Sequence, residues 1–302
     1  MATQDDGPGG VKTLMDAAAA EIEGVLSNLL PSPEGPEVLL FEAIRYAVLA
    51  PAKRFRPILV LASADLFSVD RQSALRVAAA VEMVHTYSLV HDDLPCMDDD
   101  ELRRGQPATH VKYNEATAVL VGDALIPLAF EVLAQPETHN DPKVRAALSL
   151  QLAKAVGGQG MVGGQAIDMM MQQRSANIGT ITRSQQLKTG ALIEFACESG
   201  AILSNAAPKL RHALHAFAHD LGLAFQITDD LLDAEGSSDA LGKSVRKDVA
   251  AGKSTFVSLL GADRARTQAR FIASQAVDHL EPFAENAEFL KRLARYVVNR
   301  NT

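Results

Sequence analysis

Apolar residues recur every three or four positions through most of the chain, as in VKTLMDAAAAEIEGVLSNLL, PILVLASADLF, ALRVAAAVEMVHTYSLVHDD, TAVLVGDALIPLAFEVLA, VRAALSLQLAKAVGG, RSQQLKTGALIEFACESGAILS and KLRHALHAFAHDLGLAFQITDDLLD. That spacing is the period of a helix with a buried face. Alternating, β-branched strand segments are scarce, so the pattern predicts an all-α fold of about ten helices. The stretch around 75–92 is apolar on nearly every side, which places it at the centre of the fold. Glycine and polar residues interrupt the pattern near 101–115, at 157–164 and through AEGSSDALGKSVRKDVAAGKS at 234–254. The last stretch is too long and polar to serve only as a connector, and a mobile flap is expected there. The small, polar residues 1–10, MATQDDGPGG, are expected to form a loose tail. No internal repeat or linker divides the remainder, so 11–302 reads as one domain.

Composition narrows the function. The 302 residues are 47% hydrophobic with a net charge of −8, and lysines and arginines are scattered, so the basic footprint of a nucleic-acid binder is missing. Any anion must therefore be gripped locally. The two cysteines, Cys96 and Cys197, make no disulfide framework, and no basic-then-apolar leader opens the chain. A reducing cytoplasm is the expected location. Charged or polar groups interrupt each apolar run, so no stable membrane insertion is expected.

Against this background one stretch stands out. HDDLPCMDDDELRRG, residues 91–105, packs six carboxylates into ten positions and follows them with two arginines. A solvated acidic loop is the simplest explanation of such a run. A second cluster, FQITDDLLD, puts Asp229, Asp230 and Asp233 on a continuous helical pattern, where residues four apart share a face. Asp92 and Asp98, six apart, would lie about 240° apart on an ideal helix. Pro95 between them removes a backbone hydrogen bond, and a local break there would return Asp98 to the side of Asp92. Two aspartate clusters on mostly apolar helices are poorly explained by solvation. An all-oxygen ligand set favours a hard divalent cation, magnesium over zinc. Since magnesium joins one or two carboxylates to phosphate oxygens, a phosphorylated substrate is implied. DDDELRRG does not place the glycine and terminal glutamate of a calcium loop.

Candidate phosphate-binding groups accompany the carboxylates. Arg103 and Arg104 can serve two anions if they point apart. Lys53 and Arg56, in AKRFRPILV, precede a helix whose first turn tolerates Pro57. His85 returns to the face of Asp92 about 10 Å along the helix, far enough to meet a neighbouring group rather than the same metal. Lys188, Thr189, Gln226, Lys243 and Lys253 complete the set. Taken singly, each lysine reads equally well as solvated surface, and His85 as a packed core residue. GQGMVG at 158–163 lacks the strand–helix context of a dinucleotide site, and GKST at 252–255 has Lys247 where a phosphate loop needs its first glycine. The glycines at 157–164 read better as sites of close helix or substrate approach.

AKRFRP, HDDLPCMDDDELRRG, GDAL, GGQAID, KTGALI, FQITDDLLD, LGKS and GKST, in this order, resemble the short-chain trans-isoprenyl diphosphate synthases, most of all the bacterial farnesyl diphosphate synthases. Ala52 departs from the glycine usual before the lysine of the first motif. The resemblance implies helices around a deep central cavity, usually in a homodimer. It implies that Asp92, Asp98 and Asp229, supported by Asp93, Asp230 and Asp233, hold about three magnesium ions on an allylic diphosphate. Arg103, Lys188, Thr189, Gln226 and Lys243 would grip that diphosphate, Lys253 joining on closure. Lys53, Arg56, His85 and Arg104 would hold isopentenyl diphosphate. Ionisation of the allylic bond, attack by the second substrate and loss of a proton to the released diphosphate would follow.

Product length is expected to depend on Tyr87, with Ser88 beside it, about 7.5 Å deeper than Asp92 along the helix. In the resembling family a bulky aromatic here, with the two-residue expansion inside DDLPCMD, accompanies a fifteen-carbon product. A geranylgeranyl diphosphate synthase shares most of these motifs, and a class I terpene cyclase shares the ionisation. A non-catalytic subunit should have lost aspartates from one cluster, and none is lost here.

Overall fold

The computed structural model describes residues 8–171, 177–235 and 255–300. Helices α1 (Pro8–Leu29), α2 (Val38–Val48) and α3 (Phe55–Asp65) lead to the long α4 (Arg71–Asp92). The Asp70 carboxylate caps α4 by accepting from the Ser73 amide at 2.9 Å. Its residues are buried nearly all round, from Leu75 and Val77 to Val84 and Tyr87, as the absence of a polar face predicted. It packs on α1, α2, α3, α6 (Glu115–Ala134) and α10 (Ala191–Leu203), and is the central element.

A small hairpin interrupts the all-α pattern. Strands β1 (Leu102–Arg103) and β2 (Gln106–Pro107) pair antiparallel across Arg104 and Gly105, whose φ values of 54° and 75° are those of a two-residue primed turn. The short α5 (Thr109–Lys112) follows. Helix α6 corrects the expectation that no run reaches membrane-spanning length, because by length and composition alone it does. Here one face is buried instead, with Val121, Leu125, Ala129 and Leu133 packed inward and α4 as its principal neighbour.

Beyond α7 (Pro142–Val156) come α8 (Met161–Met171), α9 (Ile178–Gln185) and a π-helical turn at Gln186–Gly190 that runs directly into α10. Helix α11 (Pro208–Glu235) carries the second aspartate cluster. The short α12 (Phe256–Leu260), capped by Thr255 and Ser258, precedes α13 (Ala262–Asp278) and α14 (Glu288–Asn299). A smaller apolar cluster of Ile181, Ile227, Leu231, Phe256 and Ile272 joins α9, α11, α12 and α13.

Pro8–Gly10, expected in the tail, are the first turn of α1. The expected flap at 234–254, with Lys243 and Lys253, lies outside the described residues except for its first two positions, which extend α11. Both cysteines are free, Cys96 exposed and Cys197 buried.

Candidate active site

A cavity of about 360 Å³ opens between α4, α8 and the π-helical turn. From α4 it receives His85, Ser88 and Asp92, which follow one another at about one turn on a common face, and on the adjoining flank Tyr87 and His91, also one turn apart. Lys188 and Thr189 reach it from the π-helical turn, and Arg56 from the start of α3.

Helix α4 stops at Asp92 in the manner Pro95 requires. The chain turns back so that the Asp98 amide donates to the Asp92 carbonyl at 2.8 Å, and Asp99 adopts a left-handed φ of 51°. Asp98 is thereby brought within electrostatic reach of Asp92. Burial, resisted by Lys188 and reinforced by Asp98, pushes the Asp92 pKa up to about 6. Asp98 thus adds negative charge beside a carboxylate whose charge burial already disfavours.

Lys188 answers part of that charge. Its Nζ donates to Asp168 Oδ2 at 2.9 Å, and although burial opposes its charge, Asp168 and Asp92 outweigh it and raise its pKa. Asp168, buried on α8, was not foreseen. Gly164 explains the close approach, because a Cβ there would lie 2.1 Å from the Lys188 amide nitrogen. Gly164 therefore seats α8 on the π-helical turn, the kind of close approach the sequence implied for this stretch.

Arg103 and Arg104 do part, for a reason the hairpin supplies. Arg103 donates from Nε to Asp93 at 2.9 Å and from Nη2 to Asp100 at 3.2 Å, while Arg104 turns to Glu82 at 3.1 Å. Asp93, 1% exposed, is clamped by this guanidinium rather than open to the cavity. Burial raises its pKa, and the Arg103 bonds oppose the rise. Glu82, also 1% exposed, joins Arg104 to the fully buried Arg54, whose Nη1 donates to it at 2.5 Å. Neither Glu82 nor Arg54 was singled out from the sequence.

Arg56 lies inside the first turn of α3 rather than ahead of it. Its Nη1 is 3.3 Å from His85 Nε2, which must accept, since arginine only donates. Burial first, then Arg56 and Arg104, hold the His85 pKa well below the usual value, so the ring is neutral. Arg56 Nε and Arg104 Nη1 are buried without a partner. Unsatisfied guanidinium nitrogens beside a neutral histidine form a cradle for an anion. The Lys53 pKa is lowered by burial and by Arg300, against the pull of Asp229.

The residues of the second cluster differ in their surroundings. Asp229 is paired with Arg300, the residue after α14. Asp230 accepts the Phe256 amide at 2.8 Å and so fastens the start of α12. Gln226 and Asp233 are buried on α11. Arg56 links the clusters, because it lines the cavity of Asp92 and feels the charge of Asp229. Among the described residues no three His, Cys, Asp or Glu side chains gather closely enough to hold a metal ion unaided. Magnesium, which prefers to join one or two carboxylates to phosphate oxygens and water, still fits Asp92, Asp98 and Asp229 as partial ligands completed by substrate.

The chain belongs to the polyprenyl synthetase family, whose description matches residues 37–293. It is a prenyltransferase with trans-prenyl diphosphate synthase activity, and its family is magnesium-dependent and consistent with isoprenyl diphosphate substrates. It is 40% identical over 296 residues to farnesyl diphosphate synthase of Escherichia coli (strain K12), a match covering 95% of this chain and 98% of that one. It is equally 40% identical over 281 residues to geranylgeranyl diphosphate synthase of Cyanophora paradoxa, covering 93% of each. Among solved structures, an FPP/GFPP synthase from Zymomonas mobilis superposes with a TM-score of 0.88 at 48% identity, covering 97% of this chain and 100% of that one. A geranyltransferase from Helicobacter pylori, complexed with magnesium and isoprenyl diphosphate, gives 0.84 at 32% identity over 96% of each chain.

Proposed function

We propose that the protein condenses isopentenyl diphosphate head-to-tail with dimethylallyl or geranyl diphosphate and stops at farnesyl diphosphate. The observation that carries this reading is the placement of Tyr87 and Asp92 on one wall of one cavity, an aromatic floor beneath a carboxylate mouth. Asp92, Asp98 and Asp229, with Asp93, Asp230 and Asp233 in support, would hold about three magnesium ions together with the allylic diphosphate. Arg103, Lys188, Thr189 and Gln226 grip the same group, joined by Lys243 and Lys253. Lys53, Arg56, His85 and Arg104 receive isopentenyl diphosphate, the last three as the anion cradle described above.

Magnesium, when bound, supplies Lewis-acid stabilisation of the departing diphosphate. Lys188, kept charged by Asp168, adds a hydrogen bond that strengthens as negative charge grows on the leaving oxygens. The double bond of isopentenyl diphosphate, anchored by Arg56 and Arg104, then attacks the allylic carbon. The released diphosphate takes the proton that completes the new double bond. Met161 and Met169 give the cavity a dry wall, and exclusion of water prevents hydrolysis of the allylic cation.

A homodimer, implied by the family resemblance, would cover the exposed Val111, Val119 and Leu120 of α5 and α6. The second reading is a geranylgeranyl diphosphate synthase, because relatives of equal identity carry either name. Incubating the purified chain with dimethylallyl and isopentenyl diphosphates, with and without magnesium, and separating the products by chromatography decides between them. A fifteen-carbon product that requires magnesium supports the proposal, and a twenty-carbon product favours the second reading. No diphosphate release from the chain alone would reject both and favour a non-catalytic subunit.

A further inference from the structure

Folding leaves one cavity side chain with no partner at either polar end. Met161, Gln165 and Met169 follow one another at intervals of four on α8, about one turn each, and all three line the cavity. The two outer members are apolar. Gln165 Oε1 and Nε2 are both buried, and neither has a hydrogen-bond partner. Buried polar groups are nearly always satisfied, and an orphaned amide lowers stability. Methionine at this position would continue the apolar stripe without that penalty.

The position of Gln165 narrows what the amide serves. Gly164, its neighbour, packs directly on the backbone of Lys188, and Asp168, three residues on, holds Lys188 Nζ. Gln165 therefore sits next to the Lys188 end of the cavity, but on the stripe it shares with Met161 and Met169. A neutral isoprenoid chain offers an amide no hydrogen bond. An allylic carbon that turns positive offers an ion–dipole partner, strong where water is excluded.

Resting on the proposed reaction, we propose that Gln165 is a catalytic residue whose amide oxygen faces the allylic carbons as they ionise. In that step the carbon–oxygen bond breaks, its electron pair leaves on the diphosphate oxygen, and positive charge spreads over the allyl unit. The amide forms no bond and moves no proton. Attack by the isopentenyl double bond then forms the new carbon–carbon bond and moves the charge to the tertiary carbon of that unit, which loses a proton to the released diphosphate, so the interaction at the allyl unit exists only around its ionisation. Such a contact is felt in kcat and not in KM.

The test compares wild type with Gln165→Met, using dimethylallyl and isopentenyl diphosphates and magnesium. The expected result is a roughly 10- to 100-fold fall in kcat with both KM values nearly unchanged. Thermal unfolding of the variant should occur at the same or a higher temperature, because an unsatisfied amide has been removed. With a 2-fluoro allylic diphosphate, whose fluorine withdraws charge from the cation, the deficit of the variant should widen. An unchanged kcat, or a change confined to KM, in a variant that unfolds normally would overturn the role of Gln165 while wild-type turnover keeps the reaction intact. A wild-type chain that releases no diphosphate would overturn both.

Discussion

Arg300 closes over Asp229: its Nη2 donates to the carboxylate, and its guanidinium carbon lies 4.1 Å from the centroid of the Phe225 ring. The arginine is 10% exposed and its Nε has no partner. A cation thus already neutralises the aspartate assigned to magnesium in the second cluster, and a metal arriving there must displace it.

Arg300→Met should consequently tighten divalent-cation binding in the absence of diphosphate. The methionine retains an apolar contact with Phe225 while freeing Asp229. An ion pair of this partial exposure contributes on the order of 1 kcal/mol, or about a five-fold change in affinity. Titration with manganese, followed by electron paramagnetic resonance of the free ion, reads it directly. Equal affinity in the two proteins would mean that Arg300 leaves Asp229 without cost.

Asp92 yields a pH dependence with a definite sign. Folding raises its pKa from 3.8 to about 6, with burial as the first cause. A carboxyl shifted upward favours the folded state while protonated, so its contribution is full below the unfolded value and is lost as pH rises through the folded one. Metal-free Asp92→Asn should therefore be more stable than wild type near neutral pH, by on the order of 2 kcal/mol, and the advantage should vanish towards pH 4. Melting temperatures of both proteins across this range, without magnesium, measure the difference. Magnesium with inorganic diphosphate should reverse the order, because only wild type keeps the ligand.

Gly164→Ala tests the seating of Lys188. The added Cβ would meet backbone atoms of Leu187 and Lys188, which cannot swing aside as a flexible side chain would. Overpacking of this kind costs about 1–3 kcal/mol, and here the strain falls on the π-helical turn. The variant should melt several degrees lower and lose at least about ten-fold in kcat, since misplacing a positioned catalytic group is itself costly. A lowered melting temperature with full activity would show that α8, rather than the π-helical turn, had yielded.

How far the sequence foretold this site differs from residue to residue. The return of Asp98 to Asp92 was readable because proline has one structural consequence inside a helix, and the backbone bond from 98 to 92 realises it. The central position of α4 followed from its lack of a polar face. The π-helical turn was not readable: nothing in QLKTG favours a wide turn over an α-helical one, so tertiary packing against Gly164 decides it. Glu82 and Asp168 left a signal that was passed over, a lone carboxylate within an apolar helical run. Such a charge is rarely buried without a cation, and Arg54, Arg104 and Lys188 are those cations. Arg300 left no comparable trace, because α14 and α11 are distant in sequence and only the fold sets it over Asp229.

The product-length assignment rests on Tyr87. The residue is 6% exposed, its ring meets His91 edge-on with centroids 5.8 Å apart, and both residues line the cavity. Burial, aided by Asp92, pushes the phenol pKa up to about 12, so the floor stays neutral at any working pH and does not repel an apolar chain end by charge. Tyr87→Ala removes the ring and deepens the cavity beneath Asp92, whereas Ser88, whose hydroxyl donates to the His85 carbonyl at 2.9 Å, is already small. With excess isopentenyl diphosphate the variant should form products longer than fifteen carbons, while the first condensation keeps its rate to within about ten-fold, because the diphosphate ligands are untouched. The lost packing should lower stability by roughly 3 kcal/mol, so the assay belongs well below the melting temperature of the variant. Chromatography of dephosphorylated products reads the outcome, and an unaltered fifteen-carbon limit would move the floor to another wall of the cavity.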